Sequence, residues 1–380
     1  MFRDEAMYMS TNYVCEEKMC SGCMACLSIC PKNAISIKDG IKYFNAEINQ
    51  ARCISCGACH AICQMNHKPK AVRPFSWYQG WHQDNVDRAT SSSGGAVAAL
   101  TEAFIDEGGV VYSCVFRNGE FKYICAHDKE TIKQFKGSKY VKSNPIGIYE
   151  SIKESLIERD VLFIGLPCHV AAVNNYLSTK EYNHTIYTCD LICHGTPSSK
   201  LLDIFLKQYD IQLDQLDDIK FRNKGIFNIQ CDGAYILHKS VRDAYTLSFL
   251  KGLCYTDNCY KCQYAKIERV SDITVGDSWG TQIDEEERAK GISLILCQTV
   301  KGEQLLKKTN MELKEVNLEK AIDSNHQLRE PSADTEEHKR FFDLIQKGKS
   351  FNHSVFVCYP KTSIKQYIKL CLIKLKFYGS

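Results

Sequence analysis

The sequence lacks any run of 18 apolar residues, so it predicts no membrane-spanning helix. Its first ten residues, MFRDEAMYMS, lack the apolar core of a secretion signal, and we expect a cytoplasmic protein in a reducing compartment. A strong charge of one sign is also missing: the net charge is +3, which gives no reason to expect a nucleic-acid partner. The length of 380 residues and the hydrophobic fraction of 44% are typical of a globular protein with two or three domains.

Cysteine is the residue in excess, with 21 copies. Disulfides are rare in a reducing compartment, so we expect many of these thiols to be metal ligands. Two segments, CSGCMACLSIC and CISCGACHAIC, share the spacing C-x2-C-x2-C-x3-C, and Pro31 follows the first. This repeat is typical of ferredoxins with two [4Fe-4S] clusters, in which the fourth cysteine of each run binds the other cluster.

The crossed pattern predicts two ligand sets in this repeat. One cluster takes Cys20, Cys23, Cys26 and Cys63, and the other takes Cys53, Cys56, Cys59 and Cys30. Two features depart from the pattern. Gln64 follows Cys63 in place of proline, which should matter little, and Cys15 lies outside the repeat, where a simple thiol is the expectation. The residues between the runs, 38–50, predict a hairpin and a connector.

Pro69, Pro74 and the Trp/Tyr-rich stretch at 77–81 indicate a domain boundary. From about Thr90 the pattern changes to strands that alternate with helices, which predicts βαβ units and parallel pairing. The strand candidates are VVYSCVF (110–116), VLFIGLP (161–167), TIYTCDLIC (185–193), AYILH (234–238), DITVGD (272–277) and SLILCQTV (293–300).

A second set of cysteines lies close to the ends of these strands. Cys168 follows one strand candidate, Cys193 ends the next, and Cys259 and Cys262 occur together in CYKC. Carboxyl ends of parallel strands converge at one edge of a sheet, so these thiols could meet there. Four thiolates suit either a [4Fe-4S] cluster or a structural zinc, and the ferredoxin repeat favours iron. Cys189 and Cys254 are the reserve ligands.

The segment SSSGG at 91–95 opens a helical run, where backbone N–H groups could seat a phosphate or pyrophosphate. An ordinary helix cap explains the same residues. The sequence lacks G-x-G-x-x-G, so it does not predict a Rossmann site for NAD.

The motifs SSSGG, KGSKYVKS, GLPCHVAAV, DLICHGTPS, FRNKG and CYKCQYAKIERVSDITVGDSWG occur in this order. Over residues 15–300 the chain thereby resembles the beta subunit of coenzyme F420-reducing hydrogenases and related dehydrogenases. The resemblance implies FAD beside a four-iron cluster, often with a fused ferredoxin. It implies FAD contacts at Ser92, Ser93, Gly94, Gly95, Lys139 and Tyr140, and third-cluster ligands at Cys168, Cys193, Cys259 and Cys262. His169 replaces a glutamine that many relatives carry, which leaves the substrate preference open.

Other residues of these motifs have alternative interpretations. The catalytic residue is unknown, and His169 and His194 are weak candidates; His194 could donate protons or only a hydrogen bond to a cluster. Asp277 and Trp279 could line a flavin pocket or form a core turn. Arg222 and Lys224 could offset an anionic cofactor or lie on a solvated loop.

Together the patterns predict an α+β ferredoxin-like dicluster domain followed by an α/β flavin-binding domain with a mixed or parallel sheet. The expected parts are residues 1–75 (two [4Fe-4S] clusters), 76–180 (FAD-binding region), 181–328 (third cluster ligands) and 329–380 (charged linker and basic helix). The expected function is electron transfer between the clusters and FAD, with a small substrate or an F420-like deazaflavin. Three alternatives stay open: an electron-transfer subunit without its own substrate, a reductase in cell-surface polysaccharide biosynthesis, and a non-flavin zinc protein. A ferredoxin-like or hydrogenase-type redox partner is expected.

The last twenty residues contain five lysines and no acidic residue. Ile364, Ile368, Cys371, Leu372 and Leu375 share one face of a predicted helix. This helix could pack on the domain or make weak contact with an anionic membrane surface.

Overall fold

The structure, a computed structural model, describes residues 12–375. The prediction that Met1–Ser10 contains no secretion signal therefore lies outside the described residues. In the part that is described, no helix is both long and apolar enough to cross a membrane.

The N-terminal part folds as the cysteine repeat predicts. Helices α1 (Ala25–Ile29) and α2 (Ala58–Ile62) each follow one cysteine turn, and the predicted hairpin is formed by the antiparallel strands β1 (Ile35–Asp39) and β2 (Phe44–Ile48). Met24 and Gly57 precede the two helices with φ angles of 60° and 72°. The same left-handed turn thus occurs at equivalent positions of both halves.

The remaining strands are β3 (Ser76–His82), β4 (Val110–Arg117), β5 (Glu120–Ala126), β6 (Val161–Gly165), β7 (Ile186–Leu191), β8 (Ile219–Asn223), β9 (Ile226–Cys231), β10 (Ala234–Tyr235), β11 (Ile273–Asp277), β12 (Ser293–Cys297) and β13 (Met311–Lys314). Eight of them form one mixed sheet in the order β13-β3-β12-β11-β7-β6-β4-β5, and β10-β9-β8 form a separate antiparallel sheet. A mixed sheet was among the expectations, and the structure confirms it.

The remaining helices are α3 (Asn85–Thr90), α4 (Ala96–Asp106), α5 (Lys129–Ile132), α6 (Ile148–Glu158), α7 (Pro167–Leu177), α8 (Ser199–Leu206), α9 (Ala244–Leu250), α10 (Glu285–Ala289), α11 (Val300–Lys307), α12 (Leu318–Ser324), α13 (Glu336–Gln346), α14 (Phe351–Cys358) and α15 (Pro360–Lys374). One buried apolar cluster joins β4 and β6 to α6 and α7, and another joins the sheet to α4 and α11. A third, rich in aromatic rings, joins α8 and α9 to α13 and α14.

Two strand predictions were inaccurate. The candidate AYILH forms strand only at Ala234–Tyr235, and the end of SLILCQTV turns into α11 at Val300. The Trp/Tyr-rich segment near residue 77 forms β3 inside the large sheet, shortly after Pro74. Its partners β12 and β13 lie more than 200 residues further along the chain, so local pattern gave no sign of the pairing.

The strand directions bring several motifs to one edge of the sheet. β6 and β7 are parallel, as are β7 and β11, and β12 runs antiparallel to both β11 and β3. Strands β3, β11, β7 and β6 therefore all end at the same edge. The loops that follow carboxyl ends of parallel strands are where open α/β sheets bind ligands.

Candidate functional site

The first predicted ligand set of the ferredoxin repeat is assembled in one place. Cys20, Cys23, Cys26 and Cys63 line a single buried cavity. The backbone N–H of Gly22 donates to Cys20 Sγ over 3.4 Å, and Gly22 adopts a φ of 70° to make this turn. Backbone donors aimed at cysteine sulfur are what a negatively charged iron–sulfur cluster requires.

The second set repeats this geometry nearer the surface. The N–H of Ser55 donates to Cys53 Sγ over 3.4 Å, and the N–H of Ala34 donates to Cys30 Sγ over 3.3 Å. Burial raises the pKa of Cys59 to about 11, and the nearby Cys56 and Cys30 thiolates add to the shift. Cys30 thus lies close to Cys59 of the second run.

Cys15 is a thiol that sequence reasoning set aside, since it precedes the repeat. The structure places it in the first cavity, beside Cys20 and Cys63. The interaction among these thiols raises the pKa of Cys15 and lowers the pKa of Cys20. The sequence gave little sign of this position, because long-range contacts bring the segment back to the hairpin, among them the isolated bridge between Tyr13 and Glu47 and the hydrogen bond from Val14 N–H to the carbonyl of Ala46.

The third set converges at the carboxyl edge of the sheet. Cys168 lies in the first turn of α7 directly after β6, and Cys193 lies just beyond the end of β7. Cys259 and Cys262 come from the segment that contains a short 3-10 helix at Asp257–Lys261. All four thiols line one cavity.

The electrostatics of this cavity favour a cationic occupant. Burial raises the pKa of Cys168, and the thiolates of Cys193, Cys262 and Cys259 raise it further. Burial likewise raises the pKa of Cys193 to about 12, with Cys259 and Cys262 as further causes. Four thiolates in a buried cavity repel one another unless a metal ion or an iron–sulfur cluster neutralises their charge. The donor set therefore fits either occupant.

The reserve ligands lie elsewhere. Cys189 is fully buried within β7, where it packs with Cys297 in the core between the sheet, α4 and α11. Cys254 is fully buried in the aromatic cluster of α8 and α9. Neither residue lines the cavity of the third set.

A buried hydrogen-bond network joins the third set to the first. Gln64 donates from Nε2 to Ser21 Oγ over 2.7 Å, and its Oε1 accepts from Gln263 Nε2 over 2.9 Å and from the hydroxyl of Tyr264. Gln64 is completely buried. The expectation that glutamine after Cys63 matters little was wrong, because a proline could make none of these bonds.

The residues that the resemblance assigns to FAD form two adjoining segments. Ser92 Oγ accepts from the N–H of Ser138 over 2.8 Å, which ties SSSGG to KGSKYVKS. Ser93 Oγ donates to the carbonyl of Ile292 over 2.8 Å. Lys139 Nζ donates to the carbonyls of Phe135 and Lys136 over 2.9 Å each, and Tyr140 stacks on Phe249 at 4.1 Å. Most of these side-chain groups therefore have partners within the protein.

Gly94 and Gly95 are needed for the fold itself. A Cβ on Gly94 would lie 2.4 Å from the carbonyl oxygen of Gly80 and 2.5 Å from the nitrogen of Ser293. Gly95 caps α4 with a φ of 92°, a conformation that favours glycine. Close packing against β3 and β12 thus explains both glycines, whether or not a pyrophosphate binds at α4.

Two further motifs meet beside these segments. Arg222 makes a bidentate ion pair with Asp277, with 2.5 and 2.8 Å between nitrogen and oxygen. The guanidinium also lies over Phe227 at 4.6 Å and over Trp279 at 5.9 Å. Lys224 Nζ donates to the carbonyl of Ser93 over 2.9 Å. Arg222 and Lys224 are therefore fixed by specific partners rather than lying on a solvated loop.

The two histidine candidates differ in access. His169 is completely buried on α7, where Nδ1 is 2.9 Å from the hydroxyl of Tyr123, and burial lowers its pKa to about 3. It does not reach the cavity, so it is a core residue and a poor candidate for proton transfer. His194 lines the cavity beside Cys193, and burial lowers its pKa although Asp277 opposes this.

Three segments of the chain match the models of known protein families. Residues 77–147 match the N-terminal model, and residues 158–322 the C-terminal model, of the coenzyme F420 hydrogenase/dehydrogenase beta subunit. Residues 19–67 match the 4Fe-4S dicluster domain.

Individual relatives are distant. An uncharacterized protein of Methanocaldococcus jannaschii is 23% identical over 202 residues, which are 44% of this chain and 55% of that protein. The chain thus spans about half the length of this relative. One of the subunits of the F(420)H(2) dehydrogenase of Methanosarcina mazei is 21% identical over 70% of this chain and 79% of its own length.

One of the subunits of an ion-translocating oxidoreductase complex of Methanosarcina acetivorans is 48% identical over 50 residues, 13% of this chain and 17% of its own length. A chain of the F420-reducing [NiFe] hydrogenase complex from Methanosarcina barkeri superposes with a TM-score of 0.48 at 18% identity, over 74% of this chain and 96% of that chain. On the three matching segments, the chain belongs to the coenzyme F420 hydrogenase/dehydrogenase beta subunit family, with a 4Fe-4S dicluster domain at its N-terminal side.

Proposed function

We propose that this chain is an iron–sulfur flavoprotein oxidoreductase in which electrons pass between the dicluster domain, a third [4Fe-4S] cluster and FAD. The observation that carries the proposal is the cavity of Cys168, Cys193, Cys259 and Cys262. Ser21 and Met65 of the ferredoxin repeat line the same cavity, so the third set lies directly against the first. A centre in this position could pass electrons between the repeat and the α/β domain.

Iron is favoured over zinc by this placement. A structural zinc would need only the four thiolates and would gain nothing from contact with a ferredoxin module. The network from Gln64 to Gln263 and Tyr264 instead holds the two cysteine sets together through residues next to their ligands. Hydrogen bonds next to metal ligands tune the reduction potential of a site, so this network suits a redox-active centre.

FAD is supported by the grouping of the family motifs around the end of β11. Ser92 with Ser138, Lys224 with Ser93, and Arg222 with Asp277 form one continuous set of contacts. His194 connects this set to the cavity, since the charges of Asp277 and Arg222 act on it. A bound flavin would exchange single electrons with the clusters and two electrons with a substrate. The first backbone N–H groups of α4 remain the natural seat for its pyrophosphate.

The substrate is proposed only as a class. The names of the relatives suggest an F420-like deazaflavin as one class of substrate, and a small organic molecule is the other. A second candidate function is that of an electron-transfer subunit without flavin or substrate. The engaged side chains of Lys139 and Tyr140 favour this candidate, because they leave few free groups for a cofactor. A role as a reductase in cell-surface polysaccharide biosynthesis has no specific support in the structure.

Contact with an anionic membrane surface is proposed for α15. Ile364 and Ile368 of this helix and Leu375 at its C-cap are 45%, 56% and 64% exposed. Ser363 is the one residue of α15 that is buried, so most of the helix faces outward. Lysines 361, 365, 369 and 374 accompany the apolar side without any acid, which suits an anionic lipid headgroup.

Metal and cofactor analysis after anaerobic purification tests the proposal. We expect about twelve irons per chain, the content of three four-iron clusters, together with stoichiometric FAD and little zinc. About eight irons with one zinc would refute the third cluster and leave the dicluster domain in place. The full iron content without bound flavin would instead favour the second candidate function, an electron-transfer subunit without flavin or substrate.

A further inference from the structure

Lys142 lies buried between two cysteine sets that belong to different parts of the chain. Its backbone N–H donates to the carbonyl of Pro197 over 2.8 Å, and only 6% of its surface is exposed. Its Cδ lies 3.7 Å from the position that a Cβ on Gly22 would take, and its Nζ lies 5.8 Å from the ring centre of Phe44. The side chain thus leaves the α/β domain and ends against the ferredoxin repeat.

The ammonium group of Lys142 faces thiols rather than carboxylates. Lys142 lines the cavity of Cys168, Cys193, Cys259 and Cys262. Burial alone would lower the pKa of Lys142, but the thiolates of Cys259, Cys168, Cys193 and Cys20 raise it above its usual value. Among the ion pairs found within residues 12–375, none involves this lysine, although most other buried cations have a carboxylate partner.

A buried cation without a carboxylate partner is costly unless anions surround it. The anions available here are the two groups of cysteine ligands. Lys142 lines the cavity of the third set, and its side chain packs against Gly22 between Cys20 and Cys23, so its charge lies close to both groups at once.

We propose that Lys142 is a tuning residue that raises the reduction potentials of the centre at Cys168 and of the neighbouring cluster at Cys20. The inference rests on the proposed clusters. Each centre gains one electron on reduction and becomes more negative by one charge, and no bond or proton changes at Lys142. A fixed positive charge in a dry site favours that reduced form. One lysine thereby raises both potentials together, so its charge does not open a gap between the two centres.

The test is a redox titration followed by electron paramagnetic resonance on three anaerobically purified variants. Lys142→Met keeps the aliphatic stem against Phe44 and removes the charge, Lys142→Arg keeps the charge, and Lys301→Met is the control. Lys301 pairs with Asp272 over 3.1 Å and donates to the carbonyl of Ile186, at the amino end of β7. The control therefore removes an equal charge at the opposite edge of the same sheet.

We expect Lys142→Met to reduce the equilibrium constant for one-electron reduction about tenfold, a fall of about 59 mV, at both centres. Lys142→Arg and Lys301→Met should keep the wild-type potentials. Unchanged potentials in Lys142→Met with full iron content would overturn the proposal. If the wild-type chain shows no third signal, the proposed function fails, and the potential of the Cys20 cluster alone then decides the role of Lys142.

Discussion

Gln263 donates from its side-chain Nε2 to the side-chain Oε1 of Gln64 over 2.9 Å. Each glutamine follows a cysteine of a different set: Gln64 follows Cys63, and Gln263 follows Cys262. The hydroxyl of Tyr264 donates to the same oxygen of Gln64. One side chain of the ferredoxin repeat therefore anchors the segment that carries half of the third cysteine set.

Replacing Gln64 should loosen this anchor. Gln64→Leu leaves the buried hydroxyl of Ser21 without its partner and removes one acceptor from both Gln263 and Tyr264. An unsatisfied buried group costs about 1–3 kcal/mol. We expect a clear fall in the thermal midpoint of the anaerobic protein, with slower reduction of the third centre by the ferredoxin clusters. Gln215→Leu, at an exposed position, is the control and should be neutral. Wild-type stability in Gln64→Leu would show that the network is not needed to join the two parts.

A matched pair of cysteine variants tests the third ligand set. Cys259→Ala removes a thiol that lines the cavity, whereas Cys254→Ala removes a fully buried thiol outside it. We expect Cys259→Ala to lose about four irons and Cys254→Ala to keep them all. Iron analysis of both proteins, normalised to protein concentration, measures this. Loss of iron in Cys254→Ala but not in Cys259→Ala would show that Cys254, and not Cys259, is the cluster ligand.

Replacing Gly94 should disturb the packing of the fold as well as any flavin site. Because a Cβ at this position would press on Gly80 and Ser293 backbone atoms, Gly94→Ala should cost about 3 kcal/mol of folding stability, the upper end of the usual cost of overpacking. Ser92→Ala removes only the hydroxyl that accepts from Ser138, so it should fold and retain its iron. Calorimetry and flavin absorbance separate the two effects. A stable, flavin-free Gly94→Ala protein would contradict the packing explanation.

The apolar side of α15 can be tested with lipid vesicles. The variant Ile364→Ser/Ile368→Ser/Leu375→Ser should lose sedimentation with phosphatidylglycerol vesicles, and added salt should weaken binding of the wild-type chain because lysines contribute. The control Ile157→Ser/Ile226→Ser/Val300→Ser removes equally exposed apolar side chains elsewhere. Equal binding by both variants would refute the membrane contact. If the wild-type chain forms dimers and only the α15 variant does not, this surface is an interface between two copies of the chain.

Short-range signals in the sequence predicted much of this molecule. The cysteine spacing grouped Cys20, Cys23, Cys26 and Cys63, which share one cavity, and buried apolar runs predicted β4, β6, β7 and β11 with little error. Cys168 and Cys193 were placed together because they follow parallel neighbours, and the structure brings them to one cavity. These predictions depend only on periodicity, spacing and strand direction.

The features that were missed depend on contacts between distant segments. Gln64 contacts Gln263 across 199 positions, and Cys15 approaches Cys63 because the hairpin and Asn66 hold its segment. Lys142 stands in a loop without regular structure, and nothing in its neighbours along the chain indicates burial between two cysteine sets. His169 looked like a functional histidine because it follows Cys168, yet the helix turns it into the core.

The serial order of the centres is the central claim, and rapid-mixing absorbance of the Cys259→Ala variant tests it most directly. The variant is first shown to lack the third centre and to retain FAD and both ferredoxin clusters. On mixing with dithionite, its ferredoxin clusters should reduce at the wild-type rate, but the flavin should be reduced from them far more slowly. Small hydride donors should still reduce the flavin normally. Transfer from the ferredoxin clusters to the flavin at the wild-type rate would contradict the account, because the repeat would then reach the flavin without the third centre.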